Sequence, residues 1–160
     1  MKIVPLSEEH DRLEFDCGES PLNLYLQRYA GQHARKGLVR IYVAVEEDSL
    51  VVKGYYSLSS GSVSFDVVPV NLPHHPVPIA LIGRLAVDRT MQGKKLGETL
   101  LIDALKRVLG AAEHVGIYAV VVDALNERVQ SFYCKYGFHE LLDDKLHLYL
   151  PVKVIRKLPL

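Results

Sequence analysis

The stretch RLAVDRTMQGKKLGETLL, Arg84 to Leu101, passes from an apolar, β-prone segment through a polar turn with Gly93 and Gly97 directly into a helix-forming run. Such a junction fixes a strand followed by a helix and aims several backbone N–H groups at one spot. It either cradles an anion or is a tight strand-to-helix connection. It is not a triphosphate-binding loop, because no Gly-Lys-Ser/Thr follows, and its glycine spacing differs from the dinucleotide fingerprint.

The flanking sequence sets the remaining elements. MKIVPL reads as a short opening strand. ESPLNLYLQRYAGQHARKG reads as a helix with Ser20 as its cap, Pro21 at its first position and Gly37 at its end. Leu22, Tyr25, Leu26, Tyr29 and His33 follow helical spacing and form the expected buried stripe. LVRIYVAVEEDSLVVKGYYSLSSGSVSF reads as two strands joined by a turn near EEDS, and DVVPVNLPHHPVP, with four prolines, as a loop. IALIGRLAVD is a strand. The helix after the turn would bury Leu96, Leu100, Leu101, Ala104, Leu105, Val108 and Ala112. IYAVVVDA has the continuous apolar character of a strand buried on both faces. NERVQSFYCKYGF is a short helix capped by Asn126 and stopped at Gly137, and KLHLYLPV alternates as a closing strand. Early antiparallel strands with a late β-α-β unit predict an α+β protein, a mixed α/β sheet flanked by helices.

At 160 residues the chain fits one domain, 1–160, which buries roughly 70% of the surface of its unfolded form. Two cysteines, Cys17 and Cys134, are too few for a disulfide framework and are read as reduced thiols, with Cys134 buried. No apolar run suits a leader or a membrane span, so a cytoplasmic protein is expected. A net charge of zero argues against a generic nucleic-acid binder. The total hides an acidic first 20 residues and a following segment in which Arg28, Arg35, Lys36 and Arg40 face no acid. Arg28, Gln32, Arg35 and Lys36 share one side of the helix, which is either an ordinary solvated face or a stripe that tracks a phosphate backbone. His74 and His75 lack the spaced partners of a zinc site, and no metal is expected.

LAVDRTMQGKKLGETLL, AVVVDALN and SFYCKYGF together resemble the GNAT acetyltransferase superfamily. LEFDCGESPLNLYL, GRLAVDR and DALNERVQSFYCKYGF are similar to the TacT and AtaT type of acetyltransferase toxins of toxin-antitoxin systems, over nearly the whole chain. The resemblance implies a GNAT fold with a mostly antiparallel twisted sheet and a β-α-β unit for acetyl-CoA. Leu85, Ala86 and Val87 would offer backbone groups to the pantetheine arm. Gln92, Gly93, Lys94, Lys95, Leu96 and Gly97 would hold the pyrophosphate, Asn126 would reach the pantetheine amides, and Tyr133 would be the general acid. On the residues alone, Asn126 is a helix cap and Tyr133 a half-buried aromatic. Lys95 departs from the family turn, which has glycine there; its side chain could crowd the cofactor, or its ammonium could offset that loss beside a diphosphate.

Acetyl transfer from a thioester needs a free amine, a polarised carbonyl and assistance to the departing thiolate. A phenol near the sulfur supplies the last, the role assigned to Tyr133. LIGRLAV carries no carboxylate to act as base, and Asp88 and Asp123 read as turn or solvated acids. This favours an α-amino acceptor, with a pKa near 7.7–8.0, over a lysine amine near 10.4. The toxin resemblance implies the acceptor as the aminoacyl group of charged tRNA, with Arg28, Arg35 and Lys36 as tRNA contacts. It also implies a small ribbon-helix-helix antitoxin and admits a homodimer. Two other readings stay open: an acetyltransferase for a small amine or a protein N-terminus, and a non-catalytic coenzyme-A-binding module. Arg84 either contacts substrate or pairs with an acid.

Overall fold

The computed structural model describes residues 1–160. Its strands are β1 (Lys2–Pro5), β2 (Arg40–Val45), β3 (Gly54–Val63), β4 (Val77–Val87), β5 (Ala119–Asp123), β6 (His139–Glu140) and β7 (His147–Pro151). Its helices are α1 (Ser20–Leu24), α2 (Ala30–Arg35), α3 (Leu96–Ala112), α4 (Glu127–Lys135) and α5 (Val152–Ile155), with a π turn at Tyr25–Tyr29 joining α1 to α2. The strands form one seven-stranded sheet in the order β1-β2-β3-β4-β5-β7-β6. The pairs β1–β2, β2–β3, β5–β7 and β6–β7 are antiparallel, and β4–β5 is parallel. A parallel pair needs a crossover, and α3 is that crossover. The expected mixed α/β class is the one observed.

The chain falls into two compact units. The first comprises Met1–Ser59 and Gly83–Ala104. In it β1, β2 and β3 form a meander, with Lys2 opposite Val45 and Arg40 opposite Leu58 at the ladder ends. Its core gathers Phe15, Tyr25, Leu26 and Ala30 against Ile41, Val43, Val45, Tyr55 and Ala86. Leu26, Leu100 and Leu101 have no exposed surface; burying such a side chain contributes about 1.5–3 kcal/mol. Tyr55 donates its hydroxyl to the Leu22 carbonyl at 2.7 Å, which ties β3 to α1 and satisfies a buried polar atom. A Cβ on Gly54 would lie 3.0 Å from Leu100 Cδ1 and 3.2 Å from Leu96 Cδ2, so α3 approaches β3 as closely as a glycine permits.

The helix from Ser20 corrects two expectations. Its cap is Glu19, whose carbonyl accepts from the N–H groups of Leu22 and Asn23, while Ser20 is already the first helical residue. Its buried stripe also shifts. The Ala30 N–H donates to the Tyr25 carbonyl, a five-residue step in place of four, so the face that starts at Tyr25 and Leu26 continues at Ala30. Tyr29, expected inside, is 50% exposed. The end is as expected: Gly37 has φ 74°, and the Gly37 and Leu38 N–H groups return to the Ala34 and His33 carbonyls.

The second unit comprises Ser60–Ile82 and Leu105–Leu160. Its central strand is β5, with Ile79–Ile82 of β4 on one side and β7 on the other. Ala119 to Val122 are all buried, as a strand covered on both faces requires. β4 begins at Val77, inside the stretch expected to be a loop. Pro78 is accommodated because it lies at the strand's second residue, where its carbonyl accepts from the Tyr118 N–H at 2.8 Å and no donor is needed. Gly137, with φ 98°, ends α4 as expected. The two residues of β6 and the four of α5 are too short to carry a periodic signal.

Candidate functional site

In the first unit, β4 leads into the turn at Asp88. This buried carboxylate accepts from the Asp16 N–H at 2.9 Å, the Thr90 N–H at 3.1 Å and the Thr90 hydroxyl at 2.7 Å. Burial alone would raise its pKa, but these donors hold it below the ordinary carboxylate value. The Gln92 side-chain amide donates to the carbonyls of Val87 and Cys17, each at 3.0 Å. Asp88 and Gln92 thus fasten both ends of the turn to the strand and to the Asp16–Cys17 segment.

Beyond Gln92 the backbone folds into a cradle. Gly93 has φ 80° and Lys95 φ 64°, the one non-glycine residue of the chain in the left-handed region. The Gln92 N–H donates to Arg89 and the Thr99 N–H to Lys95, but no backbone amide between them is engaged by a carbonyl. Free N–H groups from Gly93 to Glu98, at the positive end of the 17-residue α3, are the arrangement that binds phosphate oxygens. Lys94 and Lys95 are exposed, so their ammonium groups are free to sit beside such an anion, whereas Leu96 is buried and anchors the turn. Lys95 takes the backbone conformation for which glycine is suited, at a cost of about 1–2 kcal/mol. The cradle therefore fits a diphosphate with lysine in the glycine position. Leu85, Ala86 and Val87 lead into it, with Ala86 buried in the unit's core and Leu85 and Val87 half-buried.

In the second unit, α4 carries the other expected residues. Asn126 Oδ1 accepts from the Val129 N–H at 3.0 Å, so the cap is real, and its Nδ2 remains available as a donor. Tyr133 is 4% exposed, with Phe132 at 5.2 Å and Phe138 at 5.3 Å between ring centroids. Its hydroxyl makes no hydrogen bond to the protein. Burial pushes the phenol well above its ordinary pKa, so it holds its proton at neutral pH. A protonated phenol with an unspent O–H is a donor, not a base.

On the helix surface Arg28, Arg35 and Lys36 are all exposed, as expected of either reading. Arg35 Nη1 lies 3.8 Å from Glu8 Oε1, a surface pair that holds little energy. Arg84 pairs with no acid: its guanidinium lies 3.5 Å from the centroid of Tyr25, whose hydroxyl meets His33 Nδ1 at 3.1 Å. Asp123 is exposed and 3.5 Å from His147 Nε2. Cys134, expected buried, is exposed, because α4 turns Tyr133 inward and its successor outward. Sequence reading missed Asp16 and Asn23, which shape the segment that Gln92 holds; Asn23 Nδ2 donates to Asp16 Oδ1 at 3.1 Å. It also missed Arg12, which donates to the Leu26 carbonyl at 3.2 Å. Its position just after an acidic run concealed it.

Comparisons with known proteins converge. Residues 37–140 match the family described as acetyltransferase (GNAT) domain. The chain is 38% identical over 157 residues to a protein of Mycobacterium tuberculosis named tRNA-acetylating toxin, covering 96% of this chain and 93% of that one. Among solved structures it resembles AtaT complexed with acetyl-methionyl-tRNAfMet, with TM-score 0.90 and 32% identity over 97% of this chain and 96% of that one. It also resembles the mutant AtaT toxin bound to the C-terminus of the antitoxin AtaR and acetyl-CoA, with TM-score 0.85 and 32% identity over 97% and 95%.

Proposed function

Because this chain belongs to the GNAT acetyltransferase family, we propose that residues 1–160 act as one N-acetyltransferase domain that moves acetyl from acetyl-CoA to the α-amino group of aminoacyl-tRNA, blocking translation as a toxin. The observation that carries the cosubstrate is the cradle from Gly93 to Glu98, with two left-handed residues and unengaged amides. The acceptor rests on the likeness to the tRNA-acetylating toxin and to AtaT with acetyl-methionyl-tRNA.

When bound, acetyl-CoA supplies an activated acyl thioester and a thiol leaving group. Amides from Gly93 to Glu98 hold the diphosphate, Lys94 and Lys95 neutralise it, and Asn126 Nδ2 donates to a pantetheine carbonyl. Backbone groups of Leu85 to Val87 align the pantetheine arm. The acceptor's α-amine, partly unprotonated at neutral pH, attacks the acyl carbon, the C–N bond forms and the C–S bond breaks. Tyr133 donates its O–H toward the sulfur as negative charge grows there. An alkyl thiol has a pKa near 8.5 and a free phenol near 10, and burial raises Tyr133 further. Tyr133 therefore stabilises the departing sulfur through a shared proton, and the proton released by the amine makes up the balance. The toxin is held in check by a small ribbon-helix-helix antitoxin whose tail covers it; the complex of AtaT with the C-terminus of AtaR supports this.

The test is incubation with labelled acetyl-CoA and total charged tRNA. Label released as N-acetyl-aminoacyl groups is expected, together with growth arrest on expression without a partner. Label in protein N-termini or small amines with normal growth would favour the ordinary acetyltransferase, and coenzyme binding without thiol release would favour the non-catalytic module.

A further inference from the structure

Beside α2 lies a cleft of about 240 Å³ bordered by Ser7, Glu8, Arg12, Gly31, Arg35 and Arg40. We infer that this cleft is a phosphodiester seat, formed by the guanidinium groups of Arg12 and Arg35 over Gly31 with Arg40 at its border, that grips the backbone of the tRNA substrate. The inference deepens the proposed function and rests on its assignment of charged tRNA as acceptor.

The charge balance is the first ground. Three arginines border the cleft against one acid, Glu8, whose Oε1 lies 3.8 Å from Arg35 Nη1. Arg12 spends one N–H on the Leu26 carbonyl, and neither it nor Arg40 has a carboxylate within ion-pair distance. Convergent like charges are unfavourable unless an anion joins them, and the planar fork of arginine matches phosphate oxygens.

Gly31 is the second ground. A glycine inside a helix is less favourable than alanine by about 0.8–1.0 kcal/mol, and α2 has one at its second position. A Cβ there would meet Arg35 Nη1 at 3.2 Å and Arg12 Nη1 at 3.4 Å. The missing side chain lets both guanidinium groups reach the same spot.

A phosphodiester fits better than a peptide carboxylate. The π turn before α2 carries exposed Arg28 and the residue after α2 is exposed Lys36, so the cations continue beyond the cleft, as an extended polyanion of regular charge requires. Of the lining, only Leu6 and Ala34 are apolar, which leaves little to receive a peptide side chain.

The experiment measures charged-tRNA affinity of the full-length protein against potassium chloride concentration, by fluorescence anisotropy, alongside acetyl transfer. Arg12→Gln and Arg40→Gln should each weaken binding about five- to tenfold at 0.1 M salt and flatten the log–log salt slope by about 0.7–0.9. KM for tRNA should rise while kcat and acetyl-CoA affinity hold. Gly31→Ala separates binding from folding, because it should leave the melting temperature equal or higher yet weaken tRNA binding. Unchanged affinity and slope in Arg12→Gln and Arg40→Gln would overturn the seat, and so would a loss of affinity for poly-glutamate in place of tRNA. Wild-type protein that binds tRNA with the expected variant effects but does not acetylate it would overturn the proposed acceptor chemistry while leaving the seat standing.

Discussion

The turn at Gln92–Gly97 and the tyrosine on α4 serve one proposed reaction by opposite means. The turn works through main-chain amides, is exposed from Gln92 to Lys95, and keeps its shape by bonds to residues far away in sequence, Asp16 and Cys17. Tyr133 works through one side-chain atom and is held by aromatic packing from Phe132 and from Phe138 beyond the end of α4. A site of the first kind tolerates changes of side chain but not of backbone conformation or anchor. A site of the second kind tolerates surface change and fails on the loss of a single oxygen.

The largest expected effect tests the second kind. Tyr133→Phe keeps the ring and its packing, so stopped-assay kinetics should show kcat lower by about 10²–10⁴-fold with acetyl-CoA affinity nearly unchanged. Full activity in this variant would make Tyr133 a packing residue and erase the contrast.

Next is an anchor of the turn. Asp88→Ala strips three accepted hydrogen bonds from a buried position, which should cost about 2–4 kcal/mol and lower the melting temperature by roughly 5–15 °C. Calorimetry should also show weaker acetyl-CoA binding. A stable variant with normal binding would mean that the turn holds its own shape.

A smaller effect separates backbone from charge at Lys95. Lys95→Glu should weaken acetyl-CoA binding about tenfold, since it places repulsion at the positive end of α3. Lys95→Gly should stay within about threefold of wild type and melt slightly higher, because it removes the left-handed strain of φ 64°. Equal effects of the two would remove charge from the account.

The smallest effect concerns pH and divides the two units. His10 is buried with Nδ1 accepting from the Ser7 N–H at 3.0 Å, and desolvation lowers its pKa below 6.5. What it contributes is present above 6.5 and lost as pH falls through the folded value. In the other unit, the hydrogen bond with Asp143 and the nearby charge of Asp123 outweigh partial burial and raise the pKa of His147 above 6.5. What His147 contributes is present below 6.5 and lost as pH rises through the folded value. Ring-proton titration by NMR should place the two midpoints on opposite sides of 6.5, and a shared midpoint would cancel this distinction.

The two regions were also unequally legible in the sequence. Asn126 and Gly137 follow from local pattern, since a cap and a glycine stop are set by neighbours, whereas the pattern places Tyr133 on its helix but reads it as half-buried, and it is 4% exposed. Gln92 was assigned to the turn, but its bond to Cys17 spans 75 positions, and the Asp16–Asp88 bond spans 72, so no spacing rule reaches them. The same holds for the cleft at Gly31, which collects residues from the chain around Ser7, from α2 and from β2. The stripe on the first helix failed for another reason. Periodicity assumes 3.6 residues per turn, and a π turn breaks that assumption where Tyr29 was expected to go inside.

That π turn amounts to one residue more than the helix needs. Loss of a single exposed residue between Leu26 and Ala30 would turn the Ala30-to-Tyr25 bond into an ordinary four-residue step and leave the buried face in place. Only the solvent side would change, by the loss of Arg28 or Tyr29 from it. Length variation at this point is therefore silent in the core and audible only at the charged surface, which gives the molecule a place to retune what its helix grips without rebuilding what holds it together.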